Sequence, residues 1–438
     1  MKAVRFSTIV LAALLAAGIG AKSYAFHSGG VAECEGCHSM HSPAAGGSFL
    51  LVGATQSEAC LTCHENPADT GPSSYHISTV SSAINPTSAP KQRTPGGDFG
   101  WVKLDFTYST TSSSGVVTNY REVGDGHGHN IIAPANGYNT DATNATAPGG
   151  TFPSANLQCN SCHDPHGQYR RLPSGLIAKT GAPIWASGSY LGTSVALNEP
   201  KASGEAVGVY RLLAGAGYTK GGVTFNGVPA AKVPSTFNQT EATNQVRVAY
   251  GKATTGGHES WGDWCSTCHP AMHSAPAGGG SSYVHPVDHD LGSTISANYQ
   301  AYVKSGDMTG TGGNGFNSLV PFITNSAEYA GVLAPLAVNN NTKLAGPDTT
   351  DQVSCLSCHR AHASGFEHML RWDYGYEFMT KGGQYIGSDN PEVGTTGRGP
   401  LQSRGRNNAM WQSAYYDRLP GQFATYQRVM CNKCHAKD

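Results

Sequence analysis

The stretch Cys34-Glu35-Gly36-Cys37-His38-Ser39-Met40-His41 begins with the pattern C-x-x-C-H. This pattern is the attachment signature of a c-type haem, in which two thiols bond to the porphyrin and the histidine ligates the iron. Five further copies follow, and the six copies use all twelve cysteines of the chain. The cysteines are Cys34, Cys37, Cys60, Cys63, Cys159, Cys162, Cys265, Cys268, Cys355, Cys358, Cys431 and Cys434, and the proximal histidines are His38, His64, His163, His269, His359 and His435.

Two other interpretations of these cysteines fit the pattern less well. A zinc site needs its ligands in groups of four, whereas each copy offers two thiols and one histidine. A disulfide framework gives no reason for a histidine after every second cysteine. The sequence therefore predicts six covalently attached haem c groups, each with one iron.

The first 25 residues have the pattern of a secretory signal peptide. Lys2 and Arg5 form a basic start, an apolar run follows from Phe6 to Gly20, and Ser23-Tyr24-Ala25 is a small-x-small cleavage site. We expect cleavage before Phe26, so that residues 26–438 form a single hexahaem cytochrome domain. This predicts a secreted protein, in agreement with haem attachment outside the cytoplasm.

Charge and composition narrow the class further. Removing Lys2, Arg5 and Lys22 leaves 25 basic against 29 acidic residues in the mature chain, which gives no basic face for nucleic acid. Glycine is abundant (56 of 438 residues) and long periodic apolar segments are few. We therefore expect a fold that is mostly coil wrapped around six stacked haems, with short helices and a few short strands.

A few regular elements are predicted from local patterns. Trp101–Tyr108 and Val116–Val123 indicate a β-hairpin, and 246–250 indicates a short strand. Helical spacing occurs at Ile295, Tyr299, Tyr302 and Val303, and helices are predicted over 409–419 and 423–430. The stretches 310–315 and 142–153 have loop composition.

The second axial ligands must come from the twelve remaining histidines, because a c-type haem iron usually takes two protein ligands. This surplus favours bis-histidine ligation over methionine. Three histidines lie three residues past a proximal histidine and one lies four past, on the same face of a short helix. The candidates are His41, His166, His362, His273, His285, His76, His129 and His27, eight residues for six positions. His27 is weaker than the other seven, and so are four histidines outside the eight, His127, His258, His289 and His368.

Several segments resemble the hexahaem outer-surface cytochromes of metal-respiring bacteria. They are Phe26–Glu33, Gly71–His76, Thr94–Trp101, Cys162–Gly167, Cys358–Phe366 and Cys431–Asp438, and the resemblance includes all six motifs in order. It implies an extracellular filament with a continuous stack of bis-histidine haems. It also implies that His41 ligates a haem of the next protomer, the fifth, which is attached at Cys355 and Cys358. The four weaker histidines outside the eight differ from the family pattern, so His129 is preferred over His127.

The function implied is extracellular electron transfer rather than enzymatic catalysis. The expected partners are copies of the chain itself in a head-to-tail filament, periplasmic or outer-membrane cytochromes as donors, and external acceptors such as Fe(III) oxides. Two alternatives remain open at this stage. A monomeric periplasmic shuttle would share every haem feature, and a multihaem reductase would need one iron with an open coordination position.

Overall fold

The computed structural model describes residues 34–66, 76–85, 87–166, 170–171, 177–178, 207–208, 212–232, 248–252, 259–273, 286–301, 320–326, 332–337, 347–394 and 396–435. Irregular backbone dominates this part of the chain, which confirms the expected fold class. The predicted signal peptide, the loop at 310–315 and the candidate ligands His27 and His285 lie outside the described residues. No helix among the described residues is long and apolar enough to cross a membrane.

The helices are short and several coincide with haem-attachment motifs. They are α1 (Cys34–Cys37), α2 (Gln56–His64), α3 (Trp261–Ser266), α4 (Pro270–His273), α5 (Gly292–Ala301), α6 (Ala334–Leu336), α7 (Cys355–Cys358), α8 (Gly399–Ser403), α9 (Asn408–Ala414) and α10 (Cys431–His435). A capping box begins α2. Thr55 Oγ1 accepts from the Glu58 N–H at 3.1 Å, and Glu58 Oε2 accepts from the Thr55 N–H at 3.1 Å.

The strands form small separate sheets. They are β1 (Phe106–Thr111), β2 (Val117–Glu122), β3 (Arg170–Arg171), β4 (Ile177–Ala178), β5 (Val207–Gly208), β6 (Thr219–Lys220), β7 (Val223–Thr224), β8 (Ala231–Lys232), β9 (Ala249–Gly251), β10 (Ile323–Thr324), β11 (Thr380–Lys381) and β12 (Gln384–Tyr385). The predicted hairpin is present as antiparallel β1 and β2, with Phe106 opposite Glu122. Its first strand starts later than predicted because Phe99–Lys103 forms a 3₁₀-helix, where Asp98 Oδ1 accepts from the Gly100 N–H at 2.7 Å.

The predicted loop at 142–153 is confirmed, since its residues belong to no named helix or strand. The strand expected over 246–250 appears as β9, which begins at Ala249. The predicted helix around Ile295 and Tyr299 is present as α5, while Tyr302 and Val303 lie outside the described residues.

The C-terminal prediction was partly wrong. The helix expected over 409–419 ends at Ala414, because Tyr416 and Asp417 adopt left-handed backbone with φ of 58° and 57°. The helix expected over 423–430 does not form. Instead the Met379 N–H donates to the Gln427 carbonyl at 2.7 Å, and the Val429 N–H donates to the Glu377 carbonyl at 2.9 Å. Pairing with a distant segment therefore overrides the local helical preference.

Buried apolar side chains form separate clusters rather than one continuous core. The largest cluster in the described part surrounds Trp101, Phe366, Trp411 and Tyr415. A second surrounds Tyr250 and Trp261, next to the fourth C-x-x-C-H motif. This division agrees with a chain in which cofactors supply much of the interior.

Candidate haem-binding site

Three of the proximal histidines are oriented through one ring nitrogen, Nδ1. Nδ1 of His38 donates to the Phe49 carbonyl at 2.8 Å, and Nδ1 of His269 to that of Pro148 at 2.9 Å. His359 makes the same bond to the His368 carbonyl at 2.6 Å. A backbone carbonyl can only accept a hydrogen bond, so its position beside Nδ1 selects the tautomer with the proton on Nδ1. The other nitrogen, Nε2, is left with a lone pair for a metal.

A backbone clamp follows the first motif. The Ser39 N–H donates to the Leu50 carbonyl at 2.7 Å, and the Val52 N–H donates back to the Cys37 carbonyl at 2.9 Å. Leu50 has φ of 58°, a conformation that costs an ordinary residue roughly 1–2 kcal/mol. The clamp pairs the backbone of His38 with that of Leu51 and so holds the proximal histidine next to the Phe49 carbonyl that its ring contacts.

The same clamp recurs at the third and fifth motifs. At the third, the Asp164 N–H reaches the Leu212 carbonyl (2.6 Å) and the Ala214 N–H reaches the Cys162 carbonyl (2.9 Å). At the fifth, the corresponding bonds are Arg360 to Met369 and Arg371 to Cys358, both 2.8 Å. Leu212 and Met369 again have positive φ, 53° and 58°. These are also the three motifs that carry a second histidine three residues past the proximal one.

Two pairs of histidines face each other at a spacing that suits one iron. The ring centroids of His129 and His269 lie 6.1 Å apart, and those of His163 and His362 lie 6.4 Å apart. Two imidazole nitrogens, each about 2 Å from one metal, place the ring centroids roughly 6 Å apart. Each pair therefore combines a proximal histidine with a predicted distal candidate.

The distal rings are also held by the backbone. Nδ1 of His129 donates to the Ala361 carbonyl at 2.7 Å, and the His129 N–H donates to the His362 carbonyl at 2.9 Å. His362 is stacked on Phe99 at 4.5 Å between centroids. Burial and, to a smaller extent, the neighbouring His269 lower the pKa of His129 to about 4. The ring is therefore neutral at pH 7, the state that binds metal.

The six motifs lie next to one another in chain order. The Cys60 and Cys159 thiols share a hydrogen bond, and so do the Cys265 and Cys355 thiols, which joins the second motif to the third and the fourth to the fifth. The remaining neighbours interact electrostatically through Cys37 with Cys60, Cys162 with Cys268, and Cys358 with Cys431. Every consecutive pair of motifs is thus in proximity.

The other predicted ligands have different surroundings. His41 and His166 are exposed, and His76 is buried. His273 is held by Asp288, with Nε2 3.1 Å from Oδ2, rather than brought to a proximal histidine. The weaker candidate His127 is fully buried, with Nε2 2.7 Å from Glu122 Oε1. Histidine count alone could not reveal these carboxylate partners.

The thiols show no sign of the two alternative uses. All eleven cysteine side chains in the described residues are free of disulfides. The one group of three metal-binding side chains found in that part of the chain contains no cysteine. The thiols of each motif, proximal imidazoles whose Nδ1 donates to a backbone carbonyl, and histidines that face them form the donor set that covalent haem requires, so the residues fit the cofactor.

The chain was compared with known proteins. No protein-family model matches it. The C-type cytochrome OmcS of Geobacter sulfurreducens is 46% identical over an alignment 466 positions long, which covers 100% of both proteins. Two solved structures, the OmcS nanowires and the Outer Membrane Cytochrome S filament of the same organism, match with TM-scores of 0.80 and 0.79. Each is 44% identical and covers 94% of this chain and 100% of its own. The chain therefore belongs to the OmcS family of c-type cytochromes, electron-transfer proteins with covalently bound haem c.

Proposed function

We propose that this protein carries six haem c groups and polymerises into an extracellular filament that conducts electrons along them. The observation that carries the proposal is the proximity of all consecutive C-x-x-C-H motifs, in chain order. When bound, haem supplies reversible one-electron storage, and the protein sets its spacing, ligation and exposure. The filament form of the relatives favours this function over a monomeric shuttle.

The repeated clamp supports an assignment of the odd-numbered haems. In the fifth motif, the histidine three residues past His359 is His362, which faces His163 of the third motif. The third motif has the same architecture, so we assign His166 to the first haem with His38. In both cases the histidine three residues past a proximal histidine ligates the iron of the motif two places earlier. The first motif has no motif two places earlier in its own chain, so by this rule the iron that His41 ligates belongs to another chain.

This rule predicts how the protomers join to one another. In a head-to-tail filament, the motif two places before the first is the fifth motif of the neighbouring protomer. We therefore assign His41 to the fifth haem of the neighbour, opposite the neighbour's copy of His359. Its exposed position is compatible with this role. A head-to-tail contact that does not close by rotation produces an open helical filament.

A second pattern supports an assignment of the even-numbered haems. His129, the partner of His269, lies before the third motif, in the segment between the second and third. In corresponding positions, His285 precedes the fifth motif and His27 precedes the first. We assign His285 to the sixth haem and His27 to the second. His76 and His273 are then the two surplus candidates.

This ligand set leaves no iron with an open position once the filament has formed. It therefore favours long-distance conduction over reduction of nitrite or a sulfur oxyanion, which needs an open iron. External acceptors such as Fe(III) oxides would receive electrons from exposed haem edges. Periplasmic or outer-membrane cytochromes would supply them.

The proposal is tested with His41→Ala, against His289→Ala as a control at another exposed histidine. Electron microscopy should show filaments for the wild type and the control and only particles for His41→Ala. Intact mass should show six haems in all three proteins. Electron paramagnetic resonance should reveal one new high-spin haem in His41→Ala. Normal filaments of His41→Ala with every haem low-spin would contradict the bridging role.

A further inference from the structure

A compact group of metal-binding side chains lies beside the fourth motif and is separate from the haem ligands assigned above. Asp263 is in α3, His273 ends α4, and Asp288 lies in the loop before α5. Their ligand atoms all lie within 4.8 Å of one another. His273 Nε2 is 3.1 Å from Asp288 Oδ2 and 3.6 Å from Asp263 Oδ1. We propose that this group binds a divalent transition-metal cation of the Zn²⁺ class.

The spacing suits such an ion. Ligand atoms bonded at about 2.0–2.1 Å in a tetrahedron lie roughly 3.3 Å from one another. The two distances from His273 Nε2 lie on either side of this value. One imidazole with two carboxylates is also a common ligand set for Zn²⁺, with water in the fourth position.

Neighbouring residues orient the carboxylate at the centre of the group. Ser260 Oγ donates to Asp288 Oδ2 at 2.7 Å, and the Gly262 N–H approaches Asp288 Oδ1 at 3.3 Å. Outer-sphere hydrogen bonds of this kind hold metal ligands in place.

Glycine at position 262 keeps the site open. A Cβ at that position would lie 2.0 Å from Asp288 Oδ2 and 2.8 Å from His273 Nε2. A larger residue would therefore push the two ligands out of their present positions. On the other side, Asp263 lines an open cleft together with Asn226, Glu259 and Thr267, through which a hydrated ion can enter.

The position of the site suggests what the ion does. It would join α3 and α4, next to the fourth haem, to the loop at 286–291. The charge of Asp288 acts on the thiols of Cys265 and Cys355, which belong to the adjoining fourth and fifth motifs. A bound cation offsets this negative charge. We expect it to make the neighbouring haems easier to reduce and to tighten the joint between the two motifs.

The experiment measures Zn²⁺ binding to the haem-loaded protein by isothermal titration calorimetry. Surface histidines also bind Zn²⁺, so the readout is the loss of one site relative to wild type. Asp263→Asn and His273→Gln should weaken that site at least about tenfold, as expected for removal of a metal ligand. The matched controls His289→Gln and Asp290→Asn change the same residue types a few positions from Asp288 and should retain the site.

A second variant and a second readout complete the test. Gly262→Ala keeps all three ligands but should lose the site, because its methyl group occupies the space between them. Zinc should also shift the reduction potential of a subset of haems upward in wild type and not in His273→Gln. Unchanged Zn²⁺ stoichiometry and affinity in His273→Gln would overturn the proposal. A new high-spin haem in that variant would also overturn it, because His273 would then be an iron ligand.

Discussion

Glu122, at the end of β2, is the centre of a buried ion network, and its replacement by glutamine should destabilise the protein strongly. Its carboxylate accepts from Arg404 Nη1 at 2.9 Å, from Arg406 Nη2 and from His127 Nε2 at 2.7 Å. The side chains of Glu122 and Arg406 are 2% and 1% exposed. The substitution therefore leaves two buried guanidinium groups with less compensating charge.

The expected loss follows from this burial. Removing one partner of a buried ion pair costs about 3–5 kcal/mol. Arg404 keeps its contacts with Glu367 and Asp373, so the lower end applies. We expect Glu122→Gln to lower the free energy of unfolding by about 3 kcal/mol.

A matched control is available at the same end of the hairpin, where Arg121 precedes Glu122 and Asp105 precedes β1. Asp105 and Arg121 form an exposed pair, with side chains 39% and 63% accessible. Exposed pairs contribute roughly 0–1 kcal/mol, so Asp105→Asn should have a small effect. The assay is guanidinium unfolding of the haem-loaded proteins, followed by circular dichroism and haem absorption. If the two variants agree within about 1 kcal/mol, the assignment of a buried network to Glu122 is wrong.

The effect of Glu122 should also depend on pH. Burial by itself opposes ionisation of this carboxyl, but Arg406, His127 and Arg404 together hold its pKa well below the ordinary value. The pKa of a glutamate in the unfolded chain is about 4.3. Because the pKa of Glu122 in the folded protein is lower, its contribution to stability is present above a pH of about 4.3 and is lost as the pH falls towards the folded pKa. The difference between wild type and Glu122→Gln should therefore be constant from pH 7 to about 5 and shrink at more acidic pH.

Three further predictions test other parts of the structure. Gly97 has φ of 93°, and a Cβ added there would lie 1.8 Å from the carbonyl oxygen of Ala363, the residue after His362. Gly97→Ala should therefore destabilise the protein by more than about 1 kcal/mol and, by displacing His362, produce a high-spin third haem. A normal low-spin spectrum with unchanged stability would contradict this. Thr55→Ala should cost about 1 kcal/mol in denaturant unfolding by removing the capping box of α2, and Thr55→Ser should restore most of it. Burial raises the pKa of Glu259 to about 7. The folding stability that accompanies the neutral carboxyl is therefore complete below the pKa of Glu259 in the unfolded chain and is lost as the pH rises through about 7. Glu259→Gln should therefore stabilise the protein more at pH 8 than at pH 4.5, and an equal effect at both pH values would refute the raised pKa.

The sequence by itself determined the class of this protein. C-x-x-C-H is a local motif, since its two thiols and its imidazole lie within five consecutive residues and need no distant contact to be recognised. Six copies, together with high glycine content and few periodic apolar segments, also predicted the largely irregular fold. The hairpin was predictable for the same reason, because its two strands are adjacent along the chain.

Only the tertiary structure decided which histidines face each other. His163 and His362 are about 200 residues apart along the chain, and no local pattern specifies that their rings lie 6.4 Å from one another. The carboxylate beside His273 likewise comes from another segment, since Asp288 lies 15 residues further along the chain, so a count of histidines cannot separate His273 from the haem ligands. The wrongly predicted helix at 423–430 has the same cause. Its local preference is weaker than backbone pairing with residues 377–379, and that pairing exists only when the distant segments are brought together.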